Sequence, residues 1–210
     1  MRSYHSLWRC IGLTTASCCL AMAGTSLAGA AESPKTLVDF GQGFDLKQAK
    51  TRDAKASVIA SAAGPALRIA FGHTEQWPGV VFAPPSGAWD LSGYDRLAVE
   101  VHNEGTATTR IGLRVDDTGS VGRSSGALQR FADVAPGKTE TLGVTIAPRT
   151  GKDGKPLFFG MRGTPLDPGS GGGGEGASFG GVTIDRAKVA QVLVFVPKPK
   201  EDHQVQIGSI

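Results

Sequence analysis

Apolar and polar residues alternate with period two in short runs along most of this chain. Leu67, Ile69 and Phe71 alternate with Arg68 and Ala70, and Leu97, Val99 and Val101 with Ala98, Glu100 and His102. Ile111, Leu113 and Val115 follow the same rule, as do Leu142, Val144 and Ile146. A residue pair repeats its facing every second position only in an extended strand, so each run has one core face and one outward face. Val192 to Val196 is apolar at every position, which predicts a central strand covered on both sides. Further strands are expected at Thr36–Phe40, Lys55–Ala60, Gly79–Phe82, Leu128–Val134 and Val205–Ile210.

Turn chemistry punctuates these runs: Gly64-Pro65, Pro84-Pro85, Asn103-Glu104-Gly105, Asp117-Thr118-Gly119, Pro136-Gly137 and Asp153-Gly154. Thirty glycines and twelve prolines argue against a helical bundle. The only helical turn expected is Asp185 to Val189, with Asp185 as its N-cap. About ten strands at this spacing predict an all-β sandwich or jelly roll. Linker length leaves open whether 97–101 and 111–115 form a hairpin or cross between sheets.

Residues 1–30 read as a secretory signal. Arg2 and Arg9 form a basic start, Ile11 to Gly24 is uncharged and apolar, and Ala28-Gly29-Ala30 fits signal-peptidase cleavage. The apolar run is shorter than the roughly 20 residues of a stable bilayer span, so no membrane anchor is expected. Cys10, Cys18 and Cys19 all lie within it, which leaves residues 31–210 as one cysteine-free domain. Lipid attachment at Cys18 is the alternative to cleavage after Ala30. The expected location is secreted or periplasmic. Cleavage removes two arginines and no acid, taking the net charge of +3 to +1. That balance excludes a nucleic-acid footprint.

No catalytic motif is present: Gly-x-Ser-x-Gly is missing, and His73-Thr74-Glu75 lacks the paired histidines of a zinc protease. The chain is expected not to be an enzyme. Gly169 to Gly176 has six glycines in eight residues and predicts a flexible insertion between Met161 and Val182. Glu175 stands where a phosphate loop would need Lys-Ser/Thr. Asp116-Asp117 could hold a structural Ca²⁺, or could cap the turn and pair with Arg114 or Arg110.

Trp77, Trp89 and Tyr94 are the large amphipathic rings beyond residue 30. Trp89 and Tyr94 feed straight into the strand at Leu97 and are expected to plug one end of the sandwich. Trp77 sits in a polar loop. It is read either as a sugar-stacking platform or as a ring held against the core edge by Pro78.

The run Trp77-Pro78-Gly79-Val80, then Trp89-Asp90-Leu91-Ser92-Gly93-Tyr94-Asp95-Arg96-Leu97, Val101-His102-Asn103 and Leu113-Arg114-Val115-Asp116-Asp117 resembles the carbohydrate-binding-module-like domain that precedes the catalytic barrel in β-agarases. Phe159 to Pro165 and Ala187 to Phe195 extend the resemblance over most of Leu37–Ile210. It implies a galactose-binding-like jelly roll without the barrel, and polysaccharide as partner. Ile207-Gly208-Ser209-Ile210 departs from the family's Ile-Asp-x-Ile ending, which puts a structural Ca²⁺ in doubt; no other cofactor is expected.

The expected function is non-catalytic binding of a galactan-type polysaccharide. Trp77 would be the platform, with His73, Glu75 and Gln76 beside it and Arg114 and Arg162 as donor forks. The alternative is an adaptor sandwich that contacts an envelope component or an enzyme and has no sugar site. The sequence leaves the oligomeric state undetermined.

Overall fold

The computed structural model describes residues 34–123, 126–147 and 184–210. Ten strands run in chain order: β1 Ala49–Arg52, β2 Ala54–Ser61, β3 Gly64–Phe71, β4 Gly79–Phe82, β5 Arg96–Asn103, β6 Thr109–Asp117, β7 Leu128–Val134, β8 Thr139–Thr145, β9 Val189–Phe195 and β10 His203–Ile207. Two 3₁₀ turns, Leu46–Gln48 and Arg186–Lys188, precede β1 and β9. The second has Asp185 as its N-cap, accepting from Ala187 N, as the residue pattern predicts.

The strands form two five-stranded antiparallel sheets, ordered β1-β4-β9-β6-β7 and β2-β3-β10-β5-β8. This is the jelly-roll sandwich expected from the sequence. Most connections pass from one sheet to the other. β5 and β6 lie in different sheets, so the residues 97–101 and 111–115 are not a hairpin. Only β2–β3 and β6–β7 pair directly with their chain neighbours.

The alternation has the physical cause inferred for it. Leu97, Val99 and Val101 of β5, Ile111, Leu113 and Val115 of β6, and Leu67, Ile69 and Phe71 of β3 are buried in one shared core. β9 is the central strand of its sheet. Val192, Val194 and Val196 face the core, while Phe195, of opposite parity, is also buried at 6% exposure.

Three assignments shift. Thr36–Phe40 forms no strand; Leu37 and Val38 N–H groups donate to Ile210 O at 2.6 and 3.1 Å, and Ile210 N returns a bond to Val38 O. Those exchanges use the chain end that had been expected to extend the last strand, so β10 stops at Ile207. β1 has no apolar alternation, because only Ala49 in Ala-Lys-Thr-Arg is buried; pairing with β4 makes it a strand.

Trp89 is half-buried, packs on the core and exchanges backbone bonds with Val189 at 2.8 and 3.0 Å. Tyr94 also packs there, consistent with plugging the sandwich end. The residues 1–30 and 169–176 lie outside the described residues.

Asn103 ties two turns together. It is fully buried; its carboxamide N–H₂ donates to Ala107 O and Val134 O, both at 2.8 Å, and its Oδ1 accepts from Gly105 N at 2.8 Å. Asn103→Ala leaves these backbone groups unpaired and is expected to cost about 2–4 kcal/mol. Urea unfolding measures this, and a loss below about 0.5 kcal/mol, within the range of a neutral surface change, would contradict the role.

Candidate functional site

The face of the β1-β4-β9-β6-β7 sheet that points away from the core carries an ordered row of side chains. Register places Arg52 opposite Gly79, Gly79 opposite Phe195, Phe195 opposite Gly112 and Gly112 opposite Phe131. The row therefore crosses all five strands at steps of about 4.8 Å. The next row holds Lys50, Val81, Leu193, Arg114 and Gln129.

Two glycines make room for the first row. A β-carbon at Gly112 would stand 2.5 Å from Phe195 Cζ and 2.9 Å from Phe131 Cε1; one at Gly79 would stand 2.8 Å from Phe195 Cβ. Phe195 thus fills space that any other residue would occupy. Its centroid lies 5.6 Å from Phe131 and 5.8 Å from Trp77, both edge to face. Trp77 stands at one end of this ledge and is 43% exposed. Lys198 Nζ lies 5.9 Å from the Trp77 ring centroid, and Arg110 covers Phe131 at 5.4 Å, both within cation–π range.

The loop that carries Trp77 is clamped from the β1–β2 corner. Asp53 is the single residue between these strands, and its φ of 43° is a left-handed value that few side chains adopt. From there its Oδ1 accepts from Thr74 Oγ1 at 2.8 Å and its Oδ2 from Glu75 N at 2.9 Å, while its carbonyl accepts from Gly72 N at 2.7 Å. Gly72 has no space for a β-carbon against that carboxylate. Lys198, also at positive φ (45°), donates its N–H to Gln76 O at 2.7 Å and holds the loop from the other side.

The sequence-predicted residues divide accordingly. Trp77 and Arg114 belong to this face. Glu75 pairs with Arg52 of the first row, Arg52 Nη2 meeting Glu75 Oε2, while His73 Nδ1 meets Asp202 Oδ1, each at 2.7 Å. Gln76 is exposed and contributes its carbonyl to Lys198. Arg162 lies outside the described residues. Phe195, Phe131, Lys198 and Gln191 were not anticipated. The signal for the first two was Gly112 inside an otherwise alternating strand, which marks a close approach.

Asp116 and Asp117 serve the turn and its neighbours. Asp116, with no exposed surface, accepts from Arg114 Nη2 at 2.7 Å, Arg114 Nε at 2.9 Å and Gln191 Nε2 at 2.7 Å. Arg114 Nη2 also donates to Arg123 O at 2.6 Å. Asp117 accepts from Gly119 N, Ser120 N, Ser120 Oγ and Asp185 N between 2.8 and 3.0 Å. Partial burial pushes the Asp117 carboxyl up, but these donors, led by Asp185 N–H, hold it below the usual range. Among the described residues no group of three or more His, Cys, Asp or Glu side chains is placed to hold a metal ion.

Two outcomes follow from this geometry. Gly112→Ala forces Phe195 and Phe131 apart and is expected to destabilise by about 1–3 kcal/mol, with a changed near-ultraviolet circular dichroism spectrum; an unaltered spectrum would contradict the packing. Asp53 is held below its ordinary value of 3.8, first by Glu75 N–H and then by the Thr74 hydroxyl. A lowered folded value means that the contribution is complete above the unfolded value and disappears as pH falls through the folded one. Melting temperature should therefore drop less steeply in Asp53→Asn than in wild type between about pH 5 and about pH 2. Equal slopes would contradict the clamp.

Residues 39–142 match the family model of the agarase CBM-like domain. Among solved structures, an agarase superposes at TM-score 0.62 and 17% identity, over 84% of this chain and 24% of its own. An exo-β-agarase gives 0.59 and 17%, over 83% and 25%. A family 11 carbohydrate-binding module from Clostridium thermocellum, in complex with a β-1,3-1,4-mixed-linked tetrasaccharide, gives 0.51 and 13%, over 83% and 92%. This chain spans about a quarter of the two agarases. At these identities the superpositions establish a common fold. No curated protein matches.

Proposed function

We propose that this chain, an agarase CBM-like domain over residues 39–142, is a secreted, non-catalytic module that binds galactan-type polysaccharide on the outer face of the β1-β4-β9-β6-β7 sheet. The observation that carries this reading is Trp77, a large ring left 43% exposed, standing edge-on upon Phe195. A pyranose has an apolar C–H face and a polar rim. It stacks on a π-face and places its hydroxyls among nearby donors and acceptors. Here the rim is supplied by Lys198, whose ammonium lies over the Trp77 ring, and by Arg114, Gln129 and Lys50 in the neighbouring row.

The clamp on the 72–77 loop supports the same reading. A platform that is already held by Asp53 and Lys198 loses little conformational freedom when a sugar settles on it. Secretion rests on the pattern of residues 1–30, and the choice of galactan on the agarase family. With one exposed platform the affinity is expected to be micromolar to millimolar, about −8 to −4 kcal/mol.

Native electrophoresis through agarose or carrageenan tests the proposal. Wild type should be retarded, and Trp77→Ala should migrate freely while remaining folded at the temperature of the gel. No reducing ends should appear on incubation with agarose. Absence of wild-type retardation on any algal or plant polysaccharide would overturn the sugar-binding reading.

A further inference from the structure

A second feature lies at the opposite end of the sheet from Trp77. Trp77 meets Phe195 at the end of β9, whereas Trp89 bridges to Val189 at its start. Six residues of strand separate the two points, about 20 Å at the usual rise. Beside Trp89 is a half-open cavity of about 250 Å³, bordered by the segment Leu37–Gln48 on one side and by Phe82, Ala83 and Pro85 on the other.

The walls combine two chemistries. Phe44 and Trp89, both half-buried, supply rings, Phe82 backs the wall from the core at 1% exposure, and Asp39, Gln42 and Gln48 supply polar groups. The wall is held in place by packing: Phe40 meets Phe44 at 5.0 Å and Phe82 at 5.8 Å between centroids. Asp39 lines the cavity, and its Oδ1 accepts from Gly41 N at 3.0 Å, which orients the carboxylate. Gln42 and Gln48, also in the lining, are exposed, and each carboxamide both donates and accepts. The volume is below the roughly 300–1,000 Å³ of sites that enclose drug-sized ligands. It suits one small ring.

We propose that this cavity is a separate binding site for a single neutral hexopyranose ring, such as the terminal unit of a glycan. Rings on the wall match the C–H face of the sugar. A carboxylate and two carboxamides match its hydroxyls, because a hydroxyl donates once and accepts twice. Charge selects the neutral sugar. The lining contains Asp39 and no cation, so a uronate or sulfated ring would bring an anion against a carboxylate with no cationic side chain in the wall itself. The Trp77 face, which carries Lys198, Lys50 and Arg114, has the opposite character. The cavity proposal stands on its own residues and goes beyond the Trp77 reading.

The test is titration of the purified chain with D-galactose, D-glucose and D-galacturonate, followed by nuclear magnetic resonance at the Trp89 indole N–H. At least one neutral hexose should shift this signal saturably in the millimolar range, and galacturonate should not. Gln48→Phe, a change at an exposed position that fills the cavity, should weaken the response at least tenfold. Asp39→Asn should restore some response to galacturonate. Trp77→Ala should leave the hexose response within twofold. The proposal is overturned if neither hexose shifts Trp89, if galacturonate binds as well as the hexoses, or if Gln48→Phe binds like wild type. Polysaccharide retardation without a hexose response would overturn the cavity alone, and a hexose response without retardation would overturn the Trp77 face alone.

Discussion

The Phe195 ring occupies the space in which residue 112 would carry a β-carbon, and the outward face of the sheet is organised around that contact. Because Gly112 and Gly79 flank it, Phe195 sinks to the level of the backbone and is 6% exposed although it faces away from the core. Phe131 and Trp77 then close on it from two sides. Burial of the intermediate ring removes apolar area from water that would otherwise make the face a general adhesive. Only Trp77 keeps substantial exposed ring surface on that ledge.

Charges on this face are mostly committed. Arg114 is held by Asp116, Arg52 by Glu75 and Arg110 by Asp133. Paired in this way, the guanidinium groups are oriented and partly neutralised, which favours hydrogen bonding to hydroxyls over unspecific attraction of anions. The opposite sheet has its own outward network: Arg68 makes two 2.7 Å bonds to Glu104, and Gln204 adds a third at 3.0 Å. That network holds Glu104 below the usual carboxylate range, chiefly through Arg68.

Much of the fold was legible because burial imposes period two on any strand with one wet face. β3, β5, β6 and β8 each carry that pattern in their own residues, and β9 is legible instead as a run apolar on both faces. β1 does not: Ala49–Arg52 is a strand through its neighbour β4, and no property of Ala-Lys-Thr-Arg announces it. Val38 and Phe40 imitate a strand because both are buried, yet their segment pairs only with the carbonyl and N–H of Ile210. At the site, Trp77 was visible as a tryptophan in a polar loop. Phe131 and Phe195 were not, since a phenylalanine in a strand reads as core. Their meeting over Gly112 depends on register among β6, β7 and β9, residues up to 83 positions apart in the chain. Adjacency to Trp77 in sequence likewise says nothing about Arg52 and Asp202, which pair with Glu75 and His73.

The strand orders have a further consequence for how the molecule is made. β9 is the middle strand of one sheet and β10 the middle strand of the other, yet they are the last two strands in the chain. Until residues 189–207 are available, β4 and β6 have no partner between them, and neither do β3 and β5. An emerging chain can form only the outer pairs β1–β4, β2–β3, β5–β8 and β6–β7, of which β2–β3 and β6–β7 are local hairpins. Assembly must then wait for long-range pairing, which is slow compared with local closure, and both sheets are completed almost together. The sandwich is therefore built from its rims inward, with its two keystones arriving last.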